Sequence, residues 1–299
     1  MPKLFGIPYM GSKTKIAVDI LRRLPDGKRF VDLCGGGFAM SHAAVLSRKY
    51  DSIYYNDFNP LIVELIRNAL AGKYNYTVFK PPFVTREEFY RLKDTNGYVK
   101  YIWSFGNTGK EYMFGKDVEP LKHKAHDFVV FGKWDDELDK ILPNVRTKVK
   151  ASGVHNRRME FCGYARRLKH RFDLQQLQQL EQLERLERLE ITCGSYEQYV
   201  HQDGDVVYCD PPYEGTGGYG TAFDYQQFYD WAASRPYQVF FSSYQITDNR
   251  FKIIWQTTKQ SLMNSGSGQF TVTEFLYTNK TIKSNHNDPL SLFQSVLYG

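Results

Sequence analysis

Three short clusters carry side chains able to do chemistry together: Gly35-Gly36-Gly37, Asp57, and Asp210-Pro211-Pro212-Tyr213. The last is the sharpest. Its two prolines remove backbone donors and hold the chain stiff and extended, leaving one carboxylate, carbonyl acceptors and an aromatic face. That set suits a planar ligand bearing an amino group, with acceptors for its N–H groups and a ring for stacking. An acidic turn over a buried tyrosine is the plainer alternative. The glycines let backbone approach a ligand closely. Asp57 lies twenty residues beyond Gly37, where nucleotide-binding sheets place the acid that holds ribose hydroxyls. A glycine-rich turn alone says little; the pair points to a nucleoside-containing cofactor. No G-x-x-x-x-G-K-[ST] sequence occurs, which disfavours a P-loop nucleotide triphosphatase.

Each cluster stands at the end of an apolar run. Phe30–Cys34 leads into the glycines, and a helical stretch follows over Phe38–Arg48. Ser52–Tyr55 leads into Asn56-Asp57, with Pro60–Ala71 as the next helix. This β-α-β-α order favours a parallel sheet covered by helices. A second block starts near Ile191. There Asp205–Cys209 runs into Asp210, Phe228–Ser234 reads as helix, and Gln238–Ser242, Phe251–Trp255 and Phe270–Thr278 read as strands. The expectation is one α/β domain from 1–75 and 191–299, interrupted by an inserted, mainly helical lobe over 76–190.

The insertion has three parts. Trp103–Lys116 places aromatics on both sides of a Gly/Asn turn and reads as a hairpin or loop. A basic stretch follows with Arg146, Lys148, Lys150, Arg157, Arg158, Arg166, Arg167, Lys169 and Arg171, and Glu160 is the only acid between its ends. A solvated helix face accounts for many such runs, but aromatic and basic residues in one lobe favour nucleic acid. Over 172–190, leucines at 174, 177, 180, 183, 186 and 189 recur every third position. On a helix that spacing spirals around the rod instead of forming a seam, so a helical strut without chemistry is expected.

Composition narrows the field. A formal charge of +6 leans toward a polyanionic partner, and an aromatic content of 16% supplies rings that stack on bases as readily as they fill a core. No apolar stretch has the length of a membrane span, and the first residues lack the core of a secretory signal. Cys34, Cys162, Cys193 and Cys209 form no C-x-x-C pair and have no partnering His cluster. They read as reduced thiols of a cytoplasmic protein without structural metal.

The chain resembles the Dam-like class of adenine-specific DNA methyltransferases, whose cofactor motif precedes a target-recognition region and whose D-P-P-Y motif follows it. The matching pieces are Tyr9-Met10-Gly11-Ser12-Lys13, Phe30–Gly37, Asn56-Asp57-Phe58-Asn59, Asp205–Tyr213, and Ser242-Ser243-Tyr244 as an S-N-Y-type motif. They span both blocks in the expected order. One departure is Cys34, where the family usually has an aromatic before its glycines; here Phe38 follows them.

The resemblance implies a Rossmann-like fold, S-adenosylmethionine as cofactor and double-stranded DNA as partner, with no metal. It places Tyr9 and Lys13 near the methionine part of the cofactor, Gly35, Gly36 and Gly37 beneath it, and Asp57 on its ribose. Asp32 and Asp210 also fall on the cofactor side, Cys193–Tyr196 matches the adenine-flanking motif, and Tyr219 closes over the site. Asp210, Pro211, Pro212 and Tyr213 would be catalytic, the first two accepting from the amino group of a flipped adenine that stacks on Tyr213. Asn107, Lys110 and Tyr112 would read bases, and Arg157, Arg158, Arg166 and Arg167 would hold phosphates. The enzyme is expected to be a monomer in solution, with a dimer on DNA open. A GATC target is a loose expectation. Methylation of cytosine or of RNA, or a DNA-binding protein without catalysis, are the alternatives; an Asp at 210 instead of Ser disfavours cytosine.

Overall fold

The computed structural model describes residues 4–75, 77–168, 180, 182–183, 186–214, 223–261 and 270–280. The described residues form seven strands, β1 (Arg29–Asp32), β2 (Ser52–Asp57), β3 (Leu189–Cys193), β4 (Asp205–Cys209), β5 (Val239–Ser243), β6 (Lys252–Ser261) and β7 (Phe270–Thr278), and the apolar runs that precede the three chemical clusters are β1, β2 and β4. They make one seven-stranded sheet in the order β3-β2-β1-β4-β5-β7-β6. The first five are parallel, and β7 runs antiparallel between β5 and β6.

Sheet residues alternate between two cores, because successive side chains on a strand face opposite ways. Phe30, Val206, Tyr208, Phe240 and Leu276 enter a cluster with α1 (Ala17–Arg23) and α2 (Ala39–Ser47). Val31, Val207, Cys209, Phe241 and Tyr277 enter another, with Phe228, Trp231 and Ala232 of the later helix Tyr225–Ser234. With both faces covered, β5 is buried throughout, as a central strand must be. β1 is flanked by β2 on one side and β4 on the other. Their carboxyl ends therefore open the crevice where the strand order reverses, the usual ligand site of such sheets.

Boundaries moved where side chains set them. The helix expected at Phe228 starts at Tyr225, because the Asp224 carboxylate caps it by accepting from the Gln227 N–H. Strand β6 continues past Trp255 to Ser261, paired with β7 across a bulge at Ile253/Trp255. Leu189 and Glu190, expected to close the helical strut, instead begin β3 beside Ile53 and Tyr54. Leu174 and Leu177 of the strut lie outside the described residues, as do Lys169 and Arg171 of the basic stretch and Tyr219.

The chain divides into two compact units: Met1–Gly6, Gly11–Val63 and Leu186–Gly299 form the first; Ile7–Met10 and Glu64–Arg185 form the second. The sheet belongs to the first. Its helices are α1, α2, the start of α3 (Pro60–Leu70), and Tyr225–Ser234, which becomes α10 in chain order. The second unit holds α4 (Arg86–Leu92), α5 (Gly97–Ile102), α6 (Glu119–Phe131), α7 (Glu137–Ile141), α8 (Val145–Lys148) and α9 (Val154–Arg167). A capping box between Thr85 and Glu88 starts α4. Phe128 of α6 and Phe161 of α9 meet at 5.9 Å, and Phe83, Trp103, Phe114 and His126 form a neighbouring aromatic core. Among the described residues, no helix is long and apolar enough to cross a membrane.

Candidate active site

The glycine turn after β1 is a tight knot of backbone. Gly35 N–H donates to the Asn56 carbonyl at 2.9 Å, and a Cβ on Gly35 would lie 2.2 Å from the Tyr55 ring. Tyr55 in turn donates its hydroxyl to the Gly36 carbonyl at 2.8 Å. Gly36 has φ 46° and Phe38 φ 67°, so the chain reverses in left-handed geometry before α2 begins. The Phe38 ring is fully buried, edge to face with Tyr55 at 5.2 Å. Cys34 sits at the end of β1 beside Cys209; a hydrogen bond between them, together with burial, pushes its thiol up, so it stays protonated.

Two carboxylates frame this turn. Asp57 accepts from Gly36 N–H and Asn59 N–H, both at 2.8 Å, which ties the end of β2 to the glycines. Burial raises its pKa, and these two bonds oppose the rise. Asp32 is 1% exposed and accepts the Ser41 hydroxyl through Oδ2 at 2.7 Å. Its Oδ1 is buried without a hydrogen-bond partner among the described residues. Desolvation, with Asp210 and Asp57 nearby, pushes Asp32 up to about 7. Asn56, which the sequence offered only as part of a match, pins the loops: its amide donates to the Leu33 and Gly194 carbonyls at 3.0 and 2.9 Å.

The third carboxylate, Asp210, is held by charge. Lys13 Nζ lies 2.6 Å from its Oδ2 and 3.2 Å from Glu274, and Lys13 and Glu274 are only 4% and 1% exposed. Lys13, expected beside the methionine part of a cofactor, is thus engaged by Asp210 and Glu274. Glu274 on β7 accepts the Tyr213 hydroxyl at 2.7 Å. The Lys13 ammonium stands 4.8 Å from the Tyr213 ring centre, and Tyr213 meets Tyr244 edge to face at 4.6 Å. Pro211 and Tyr213 are buried and Pro212 half-buried, while the Asp210 side chain keeps 19% exposure. Asp210 Oδ1 has no hydrogen-bond partner among the described residues. Burial pushes this carboxyl up and Lys13 opposes it.

The remaining expected residues belong to several elements of the two units. Tyr9 and Met10 fall in the second unit, where the Tyr9 ring packs 5.2 Å from Tyr101. Of Cys193–Tyr196, Cys193 is exposed, whereas Tyr196 packs on Phe228 and Trp231. The 103–116 segment is a loop closed by one bridge, Ser104 to Tyr112, around a 3-10 turn at Phe105–Asn107. Tyr112 corrects its base-reading role: it is 4% exposed and donates its hydroxyl to the Val84 carbonyl at 2.6 Å. Asn107 spends its amide on the Tyr101 carbonyl. Lys110 is exposed, and so is Phe105, at 71%. Arg157 is also corrected, since its guanidinium donates to the Phe128 and Val129 carbonyls that end α6. Arg158 is half-buried; Arg166 and Arg167 are exposed at the end of α9.

A glycine cradle and a D-P-P-Y carboxylate at the reversal point of this strand order define a Rossmann-like methyltransferase sheet. The chain belongs to the D12 class of N6 adenine-specific DNA methyltransferases, whose family profile matches residues 9–265. It is also 24% identical over 209 residues to a DNA N-6-adenine-methyltransferase of Escherichia phage P1. That match covers 69% of this chain but 23% of the phage protein, so the chain spans about a quarter of that relative's length.

Proposed function

We propose that this chain methylates the exocyclic amino group of adenine in double-stranded DNA, with S-adenosylmethionine as donor and Asp210 as the acceptor that orients the amino group. The observation that carries this reading is Asp210 Oδ1, a buried acceptor without a hydrogen-bond partner among the described residues, beside an Oδ2 already fixed by Lys13. An unmet acceptor in a polar corner is a place for an N–H donor.

The residues fit the cofactor. The glycine turn admits no side chain at Gly35, and Asp32 keeps an unmet oxygen nearby. Asp32, Asp57 and Asp210 together favour a cationic group. When bound, S-adenosylmethionine supplies an electrophilic methyl on a positively charged sulfur. The chain does the rest by positioning. Asp57 holds ribose hydroxyls, and Gly35–Gly37 bring backbone close. Asp210 Oδ1 and the Pro211 carbonyl accept the two amino hydrogens of adenine, which draws the nitrogen lone pair out of the ring and aims it. A base stacked in a duplex cannot reach this corner, so the adenine flips out, with Tyr213 and Tyr244 as its aromatic wall. The second unit recognises the target: Lys110 and the exposed Phe105 at the loop tip face bases, and Arg158, Arg166 and Arg167 hold phosphates. The setting is the cytoplasm, where DNA is within reach.

Replacing Asp210 with Ala is expected to cut methyl transfer about a thousandfold while leaving DNA binding largely in place, measured with labelled methyl donor and by filter binding. Full activity in D210A would sink the assignment, and a wild-type chain that binds DNA but transfers no methyl would favour a binding protein. Replacing Arg166 and Arg167 with Gln should weaken DNA binding and reduce the salt slope by about two. An unchanged slope removes them from the phosphate set.

A further inference from the structure

Glu274 has no counterpart in the short motifs. It lies 64 residues beyond Asp210, on the antiparallel strand β7, and is 1% exposed. Burying a carboxylate is costly unless it is paired, and an apolar residue would pack a strand interior at less cost. Its partners are specific: Lys13 Nζ at 3.2 Å and the Tyr213 hydroxyl at 2.7 Å. Both partners act on the acceptor side of the site. Lys13 touches Asp210 at 2.6 Å, and Tyr213 ends the D-P-P-Y segment.

An ammonium has three donors. With Asp210 as its only acid, Lys13 would turn toward both carboxylate oxygens. Glu274 shares it, and Lys13 meets Asp210 at Oδ2 while Oδ1 has no hydrogen-bond partner among the described residues. We propose that Glu274 is a positioning residue of the methyl-transfer reaction: by sharing Lys13 and anchoring the Tyr213 hydroxyl, it reserves Asp210 Oδ1 for the amino group of the target base. This rests on the reading of Asp210 given above. The same negative charge also makes Asp210 harder to ionise. Lys13, Tyr213 and the β4 residue Tyr208 also act on Asp210, and Asp32 of β1 lies near enough to interact with it.

The test is E274Q, which keeps the volume and removes the charge. We expect kcat to fall about tenfold, a barrier rise of ~1.4 kcal/mol, with KM for S-adenosylmethionine and DNA changed by less than about twofold. The acid limb of the kcat–pH profile should move to lower pH, because a lost negative neighbour lets Asp210 ionise more readily. E274D, which keeps the charge, should hold the limb at its wild-type position. A residue that merely packs would lower the melting temperature without moving the limb. Wild-type kcat with an unmoved limb in E274Q, or equal displacement in E274Q and E274D, would overturn the inference. If neither variant folds, 13C-carboxyl titration of the wild-type protein decides: one Asp and one Glu must displace each other's titration, and independent curves refute the pairing. D210A separates the two levels. Retained transfer in D210A defeats the functional reading, whereas a dead D210A beside a wild-type-like E274Q defeats only the role of Glu274.

Discussion

Asp57 and Asp210 end neighbouring parts of one sheet and are fixed in opposite ways. Asp57 is held by backbone: Gly36 and Asn59 N–H groups fill its oxygens from within about twenty residues. Asp210 is held by a side-chain charge that comes from residue 13 and is shared with residue 274. A carboxylate fixed by backbone is a stable fixture for binding, because its partners cannot leave without unfolding the turn. One fixed by an ammonium keeps a free oxygen and a tunable affinity for a proton, which suits the group that meets the reacting atom.

The contrast predicts that the Asp57 side breaks by loss of structure. D57A leaves two backbone donors unmet and should cost about 3 kcal/mol in stability, with cofactor affinity down roughly a hundredfold; calorimetry and chemical denaturation measure both. Intact affinity in D57A would show that backbone, not the acid, carries the cofactor. G35A is next: a methyl 2.2 Å from the Tyr55 ring overpacks a buried pair, and about 2 kcal/mol of destabilisation is expected. Cofactor affinity should fall with it.

Asp32 sharpens the comparison most gently. Its folded pKa is raised to about 7 from 3.8, so its contribution to stability is full below the unfolded value and is lost as pH rises through the folded one. D32N removes that penalty but brings buried amide donors. A net gain of ~1 kcal/mol at pH 8 is expected, shrinking and then turning into a loss as pH falls toward 4, while cofactor binding weakens. Melting temperatures across that range check it; a D32N gain that grows on acidification would refute the account.

Much of this was legible before the structure. β4 and β7 follow their expected bounds, since strands buried on both faces, or alternating beside an edge, write themselves plainly into the residue pattern. The glycine turn and Asp57 were legible because their partners are local. Glu274 was not. Inside Phe270–Thr278 it reads as one polar residue of an alternating strand, and nothing in sequence says that β7 inserts between β5 and β6 to face Lys13. The second unit misled for a related reason. Tyr112 and Arg157 have the residue types that touch DNA, but the fold spends one in a core and the other on the end of a helix. Tertiary context decides such residues, and composition cannot.

The lysine bridge ties residues 13, 210 and 274 into one corner. During synthesis the first waits for the other two, so a ribosome must complete almost the whole described chain before the acceptor is set. An unfinished copy that has not reached residue 274 therefore carries the glycine turn and Asp210 with Lys13 still unshared.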